Sequence, residues 1–334
     1  MKVSIIIPVY NVALYIERCI KSVMSQTYNG EIECILVNDA SPDDSIDIAE
    51  RLIADYNGPI QFRILNHEHN RGLSAARNTG IDAATGDYLY FFDSDDEITP
   101  NCIEKLSRPV LKDPTIEMVE GCYTVIWDDS NNGKAECPMP KPQKDLTTRK
   151  AVRDFYFSKQ AHNKYAWNKL VKRTFLLKNL LYFKEGFLGE DYFWHFQYFK
   201  YLSHLYIIPD ITYKYCRRPN SITTKPNQDI RAGIGLRYAE IAKNLSPTEG
   251  SQEVKYFLKG FCLLYINGPT TPIYKQVAIQ FLKVLKDNHC FKECFFLKTI
   301  VFVSKFSIIK NFIKKLGIFL KSVSKNKDEN NFKM

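Results

Sequence analysis

The sequence predicts an α/β protein: a mostly parallel sheet with flanking helices, followed by a C-terminal helical extension. Three observations predict it. Short apolar runs alternate with amphipathic helical patterns through the first part of the chain. Most of those runs are apolar nearly continuously instead of at every second position, as expected of strands covered on both faces. From about Arg231 onward, runs of that kind give way to helical patterning.

Each element has its own signal. Val3 to Val9 is a short apolar run containing Pro8, and reads as a buried strand. A helical pattern starts at Asn11, with Ile16, Cys19, Ile20, Val23 and Met24 on one face. Ile32 to Val37 is a second strand. The turn cluster "NDASPDDS" follows, and Asp43 or Asp44 is positioned to cap a helix running to Tyr56. Gln61 to Leu65 is the third strand, Gly72 to Ala84 a helix of small residues, and Tyr88 to Phe92 the fourth strand. Residues 128 to 145 form a polar, Pro-containing loop. "AWNKLVKRTFLLKNLLYF" then reads as helical, "GFLGEDYFWHFQYFKYL" as a loop and an aromatic helix, and "LYIIPDITYKYCRRPNSIT" as a strand and a basic turn. No internal repeat is visible.

Composition narrows the function classes. The 334 residues are 45% hydrophobic and 13% aromatic, enough for a sizeable core. The first residues lead straight into a strand, without the features of a signal peptide, and no run reaches about 18 uninterrupted apolar residues. The nine cysteines contain no CxxC pair and the six histidines no zinc spacing, so free thiols in a reducing cytoplasm are expected. The net charge of +9 is concentrated. Between Lys292 and Lys327 lie nine lysines opposed by Glu293 alone. A local basic element of this kind argues against a global nucleic-acid footprint.

The candidate site follows from topology. In open α/β sheets, ligands bind beyond the carboxyl ends of the strands. Asp39 follows the second strand, and Asp93 and Asp95 follow the fourth, so all three are expected at one crevice. Closely spaced aspartates suit Mg²⁺ or Mn²⁺, hard cations held by one or two carboxylates plus substrate phosphates. An isolated Asp-x-Asp equally describes a solvated turn or a helix cap; the strand context and Asp39 favour the site. The first strand is followed by no GxGxxG and the chain has no Walker sequence, which disfavours a dehydrogenase or P-loop enzyme. Asp96 and Glu97 read as a turn and a helix start.

The stretches "VSIIIPVYN", "VNDASPDDS", "NRGLSAARNTGIDAATGDYLYFFDSDD", "WNKL" and "GED" occur in that order. Together they resemble the family 2 glycosyltransferases of bacterial polysaccharide biosynthesis, inverting enzymes with a GT-A fold. The resemblance covers roughly residues 2 to 225. It implies a catalytic domain over 1–225, a helical region over 226–324 and a polar tail over 325–334. By resemblance, Pro8 and Tyr10 hold the nucleotide base and Asp39 contacts it. Arg77 and Asn78 border the nucleotide and pyrophosphate. Asp93 lies near the ribose and shares a divalent cation with Asp95, the more direct ligand. Asp191 is the catalytic base, and Trp167, Lys169 and Glu190 lie toward the acceptor. Arg218 and Ser221 resemble a basic turn facing the pyrophosphate, although Cys216 departs from the basic residue common there.

The implied activity is transfer of a sugar from a nucleotide-diphosphate donor, a UDP-hexose by expectation, to a glycan or lipid-linked acceptor. A sugar nucleotidyltransferase would open with a Gly-rich basic phosphate loop, which "PVYNVALYIERC" lacks. A catalytically inactive binding scaffold has no need to keep Asp39, Asp93, Asp95 and Asp191 together. The segment 291–324 is basic, amphipathic and aromatic, which suits an anionic membrane surface or docking on the catalytic domain. A cytoplasmic protein, peripheral on the inner face of the cell membrane and binding no nucleic acid, is expected.

Overall fold

The computed structural model describes residues 1–127, 142–157, 164–186 and 189–217, with isolated positions at 240–241, 278–279, 282–283 and 286. The chain divides into two compact units, Met1–Pro226 and Asn227–Met334. Arg218, Ser221 and the basic segment 291–324 lie outside the described residues, as does most of the loop over 128–145.

Four parallel strands build the first half of the sheet. They are β1 (Lys2–Val9), β2 (Glu31–Asn38), β3 (Gln61–Asn66) and β4 (Tyr88–Phe91). The connecting helices are α1 (Ile16–Met24), α2 (Ser45–Ala54) and α3 (Leu73–Ala83). Their order across the sheet is β3-β2-β1-β4, so strand order reverses at β1. That reversal is where ligands enter open α/β sheets. Both faces of β1 and β2 are buried, which explains their largely apolar sequences, and the buried Ser4 hydroxyl donates to Glu33; β3, at the edge, is half exposed.

Helix α3 lies close on the sheet because its inward residues are small. Ala75 and Ala76 are fully buried, and a side chain at Gly80 would collide with Ile6 of β1. The chain from Asn11 does not enter a helix at once. Asn11 adopts a positive φ of 54°, and turns bring it to α1 only at Ile16. Asp43 organises the approach to α2 by accepting from the Ser41 hydroxyl and from the backbone N–H groups of Ala13 and Ser45.

The second half of the sheet is mixed. Its elements are β5 (Glu97–Ile98), α4 (Cys102–Lys112), β6 (Met118–Trp127), β7 (Lys144–Leu146), α5 (Arg149–Phe157), β8 (Lys169–Lys172), α6 (Arg173–Lys178), α7 (Glu190–Phe199) and β9 (Leu205–Arg217). β8 runs antiparallel to both β4 and β6, and β9 lies parallel to β6 across two irregular steps. The helix expected over "AWNKLVKRTFLLKNLLYF" is therefore corrected: the stretch holds strand β8 and the short α6. Its apolar residues satisfy a sheet and a core cluster, and four-residue strands carry little periodicity.

Candidate functional site

Three carboxylates converge on one guanidinium. Arg77, on α3, is 1% exposed. Its Nη2 donates to Asp93 Oδ1 at 2.9 Å, and its Nη1 to Glu190 Oε1 at 2.8 Å and to Asp191 Oδ1 at 2.7 Å. The guanidinium also lies over the Phe183 ring, 5.1 Å from its centroid. Residues 77, 93, 190 and 191 thus meet from α3, the turn after β4 and the start of α7. A buried cation needs such partners, because an unpaired one costs several kcal/mol.

Local structure explains the arrival of Glu190 and Asp191. Gly189 takes a left-handed φ of 75°, a backbone turn that glycine makes without steric cost, and α7 begins at the next residue. Both acids fall in the first helical turn, where the positive end of the helix dipole favours negative charge. The backbone N–H of Ala166 also favours the ionised form of Asp191.

One guanidinium faces three carboxylates, so the cluster carries excess negative charge. Burial, opposed by Arg77 and reinforced by Glu190 and Asp93, raises the Asp191 carboxyl from 3.8 to about 7. A carboxylate poised near neutrality suits proton abstraction. The same surplus suits a divalent cation. Asp93 commits Oδ1 to Arg77 and keeps 27% of its side chain exposed, and Asp95, on the same turn, is partly exposed. These are hard oxygen donors on one short turn, and they fit Mg²⁺ or Mn²⁺ completed by substrate oxygens. Among the described residues no group of three or more acids, histidines or cysteines forms a full metal cage.

The turn itself is braced. Arg18 Nη2 donates to the Asp95 carbonyl at 2.8 Å. Asp96 is fully buried, and its carboxylate accepts from the Tyr213 hydroxyl at 2.5 Å and the Cys216 N–H at 2.7 Å. Burial, together with the charges of Asp95 and Asp93, pushes its carboxyl well above the ordinary range. Asp96 is therefore more than a turn residue: it ties the acidic turn to β9. Glu97 opens strand β5, not a helix.

Asp39 is 2% exposed. Its carboxylate accepts from Arg71 N–H at 2.8 Å and Gly72 N–H at 2.7 Å, and lies 2.7 Å from His67 Nδ1. It organises the loop entering α3, a role visible in no sequence motif. Pro8 is a buried strand residue in register with Val37, whereas Tyr10, just past the strand, is 47% exposed. Asn78, partly exposed, clamps the chain at Phe183. Its side-chain amide donates to Phe183 C=O and accepts from Phe183 N–H, each at 2.8 Å.

The residues expected toward the acceptor are all buried. Glu190 is buried against Arg77. Lys169 is fully buried, with Nζ donating to the Tyr165 carbonyl at 2.7 Å and 4.0 Å from Glu120. Trp167 is 2% exposed, inside a stack: Tyr165 lies 4.8 Å away at 8° and Tyr213 4.4 Å away at 12°. Ring stacking and buried polar contacts hold all three in place. The neighbour that does reach the surface is Tyr165.

Residues 4–180 match the family model described as glycosyl transferase family 2. The chain belongs to glycosyl transferase family 2. It is 34% identical to the uncharacterized glycosyltransferase EpsJ of Bacillus subtilis, over 67% of this chain and 63% of that protein. It is 28% identical to the cholesterol galactosyltransferase of Borreliella burgdorferi, over 88% of this chain and 86% of that one. In fold, the family 2 chain is similar to S. aureus TarS residues 1–349 solved with UDP-GlcNAc. The TM-score is 0.66 at 19% identity, over 86% of this chain and 81% of the other. The GT-A fold is shared, with the matched family region ending before Asp191.

Proposed function

We propose that this chain transfers a hexose from a UDP-sugar to a hydroxyl of a glycan or lipid-linked sugar during surface polysaccharide synthesis. The supporting observation is Asp191, raised to about 7 and held through Arg77 beside Asp93. The UDP-GlcNAc bound to TarS, a protein of the same fold, supports a UDP-sugar donor. Tyr10, exposed at the β1 end, is available to stack on a base.

The reaction is a single displacement that inverts the anomeric centre. The acceptor oxygen forms a bond to the anomeric carbon as the bond to the diphosphate oxygen breaks, and the acceptor proton passes to Asp191. One base suffices, with no covalent intermediate. Arg77 orients that base and holds Asp93 on the donor side. A Mg²⁺ or Mn²⁺ ion held by Asp95 and Asp93 would offset charge on the leaving diphosphate. Arg218, outside the described residues, would add positive charge there.

The basic, aromatic segment 291–324 supports attachment to an anionic membrane surface on its cytoplasmic side. Among the described residues no helix is long and apolar enough to cross a membrane. The relative named a cholesterol galactosyltransferase has a lipid acceptor by its name, which agrees with a lipid-linked acceptor.

The protein is offered a panel of nucleotide sugars with Mn²⁺ and membrane extract, and UDP or GDP release is followed with and without EDTA. Release with a UDP-hexose, lost in EDTA, is expected. Binding without cation-dependent turnover sinks the proposal. Asp191→Asn should abolish transfer while donor binding persists. Deletion from Phe291 onward should release the protein from anionic liposomes; retention would refute the membrane role.

A further inference from the structure

Helix α1 follows the chain from the acidic turn onward. Arg18 Nη2 donates to the Asp95 carbonyl at 2.8 Å, and Cys19 Sγ lies 3.9 Å from the Asp93 carbonyl. One helical turn on, the Ser22 hydroxyl accepts from Ile98 N–H at 3.2 Å. Gln26, just past the helix end, continues the row. Its side-chain amide donates to the Thr99 carbonyl at 2.8 Å and accepts from Ile103 N–H at 3.1 Å. Residues 18, 22 and 26 are spaced as helical neighbours on one face. The path of the chain over 93–103 is therefore set along one side of α1.

Within that row Arg18 has a distinct place. Ser22 and Gln26 hold strand β5 and the start of α4, whereas Arg18 holds the main chain of Asp95, the residue proposed to meet the cation most directly. Its guanidinium also lies over the Tyr15 ring, 5.0 Å from the centroid, which joins the β1–α1 loop to the acidic turn. Asp93 is held by Arg77 and Asp96 by β9, so three elements fix three residues of one turn. The Asp96 bonds are buried, but Arg18 is partly exposed, and its loss should cost the fold little. A guanidinium near a cation repels it through space. Placed here, its benefit has to come from the bond it makes.

We propose that Arg18 is a positioning residue for the divalent cation, fixing the Asp95 main chain so that the acidic turn presents its carboxylates to the ion at one constant spacing. Small divalent ions such as Mg²⁺ demand near-ideal ligand geometry, so a turn free to shift gives up affinity. Arg18 touches neither the ion nor the substrate in this role. It acts through the Asp95 peptide, as Arg77 acts through the Asp93 carboxylate. The inference deepens the proposed cation-dependent transfer and rests on it.

Manganese EPR on the full chain tests it: free Mn²⁺ is titrated with protein and saturating UDP, against a UDP blank. Arg18→Met keeps an unbranched stem without donor or charge, and Arg18→Gln keeps a donor too short to reach the carbonyl. Both should bind Mn²⁺ about tenfold more weakly than wild type. Their thermal midpoints should fall by about 4 °C or less. Arg18→Lys restores a donor of similar reach and should recover Mn²⁺ affinity to within about threefold. Affinity within about twofold of wild type in both the Met and Gln variants overturns the proposal and leaves the transfer reading intact. So does tighter binding in both, the sign expected of a merely repelling charge. Failure of both to fold makes Arg18 a structural residue and also overturns it. If the wild type binds no Mn²⁺ with UDP, the cation reading falls and the role of Arg18 with it.

Discussion

Arg77 Nη1 lies 2.7 Å from Asp191 Oδ1, across 114 positions of sequence. Nη2 of the same guanidinium reaches Asp93. The acidic turn after β4 and the first turn of α7 are thus held by one buried side chain, and geometry on the proposed donor side is coupled to the candidate base.

Removing Arg77 should therefore cost both stability and rate. Arg77→Gln leaves Asp93, Glu190 and Asp191 without their shared cation, and the unfolding free energy should fall by about 3–5 kcal/mol. Arg77→Lys restores charge but not the planar fork, and transfer should still fall by about a hundredfold. Urea denaturation and initial rates measure the two. A Gln variant within about 1 kcal/mol of wild type would show the cluster to be loosely held.

Asp191 sets a pH dependence with a definite sign. Its carboxyl rises from 3.8 in the unfolded chain to about 7 in the fold. Between those values the folded state binds the extra proton. The stability this group contributes is therefore fully present below its unfolded value and lost as pH rises through about 7. Asp191→Asn should flatten that slope in denaturation measured without added cation. Transfer needs the ionised form, so its rate should climb with pH through the same midpoint. A rate that falls over that range would exclude Asp191 as the base.

Asp96 is expected to be structural. Asp96→Ala strands the Cys216 N–H and the Tyr213 hydroxyl, and each buried orphan costs about 1–3 kcal/mol. Thermal unfolding should show a large drop for Ala and a smaller one for Asn, which keeps one acceptor. Equal losses would mean that shape, and not hydrogen bonding, matters there.

Asp39 should act through the loop it anchors. In Asp39→Ala the Arg71 and Gly72 amides lose their acceptor. Hydrogen exchange at those two amides should accelerate about fivefold or more, since a lost bond of about 1 kcal/mol corresponds to about a factor of five. Unchanged protection would assign the loop's order elsewhere.

Much of the first half was legible in advance. The strands at residues 3–9, 32–37 and 88–92 were readable because two-sided burial demands largely apolar runs, and β1, β2 and β4 are buried in that way; the run at 61–65 alternates, as suits the half-exposed edge strand β3. Asp93, Asp95 and Asp191 were legible from local context and family resemblance. The second half was not. β8 is four residues long and runs antiparallel to β4, so neither periodicity nor alternation identifies it. The buried surroundings of Arg77, Trp167 and Lys169 were not legible, because burial depends on what packs from elsewhere.

The sequence alone determined the α/β class, the acidic turn at a strand end and the family, since these rest on local pattern and ordered motifs. Only the tertiary structure decided that Arg77 joins Asp93 to Asp191, that Asp96 binds β9, and that Tyr165, not Trp167, reaches the surface. The physical reason is common to all three. Pairing a buried charge, or burying Trp167 against Tyr213, brings in partners tens of residues away, and chain spacing carries no record of which partner arrives.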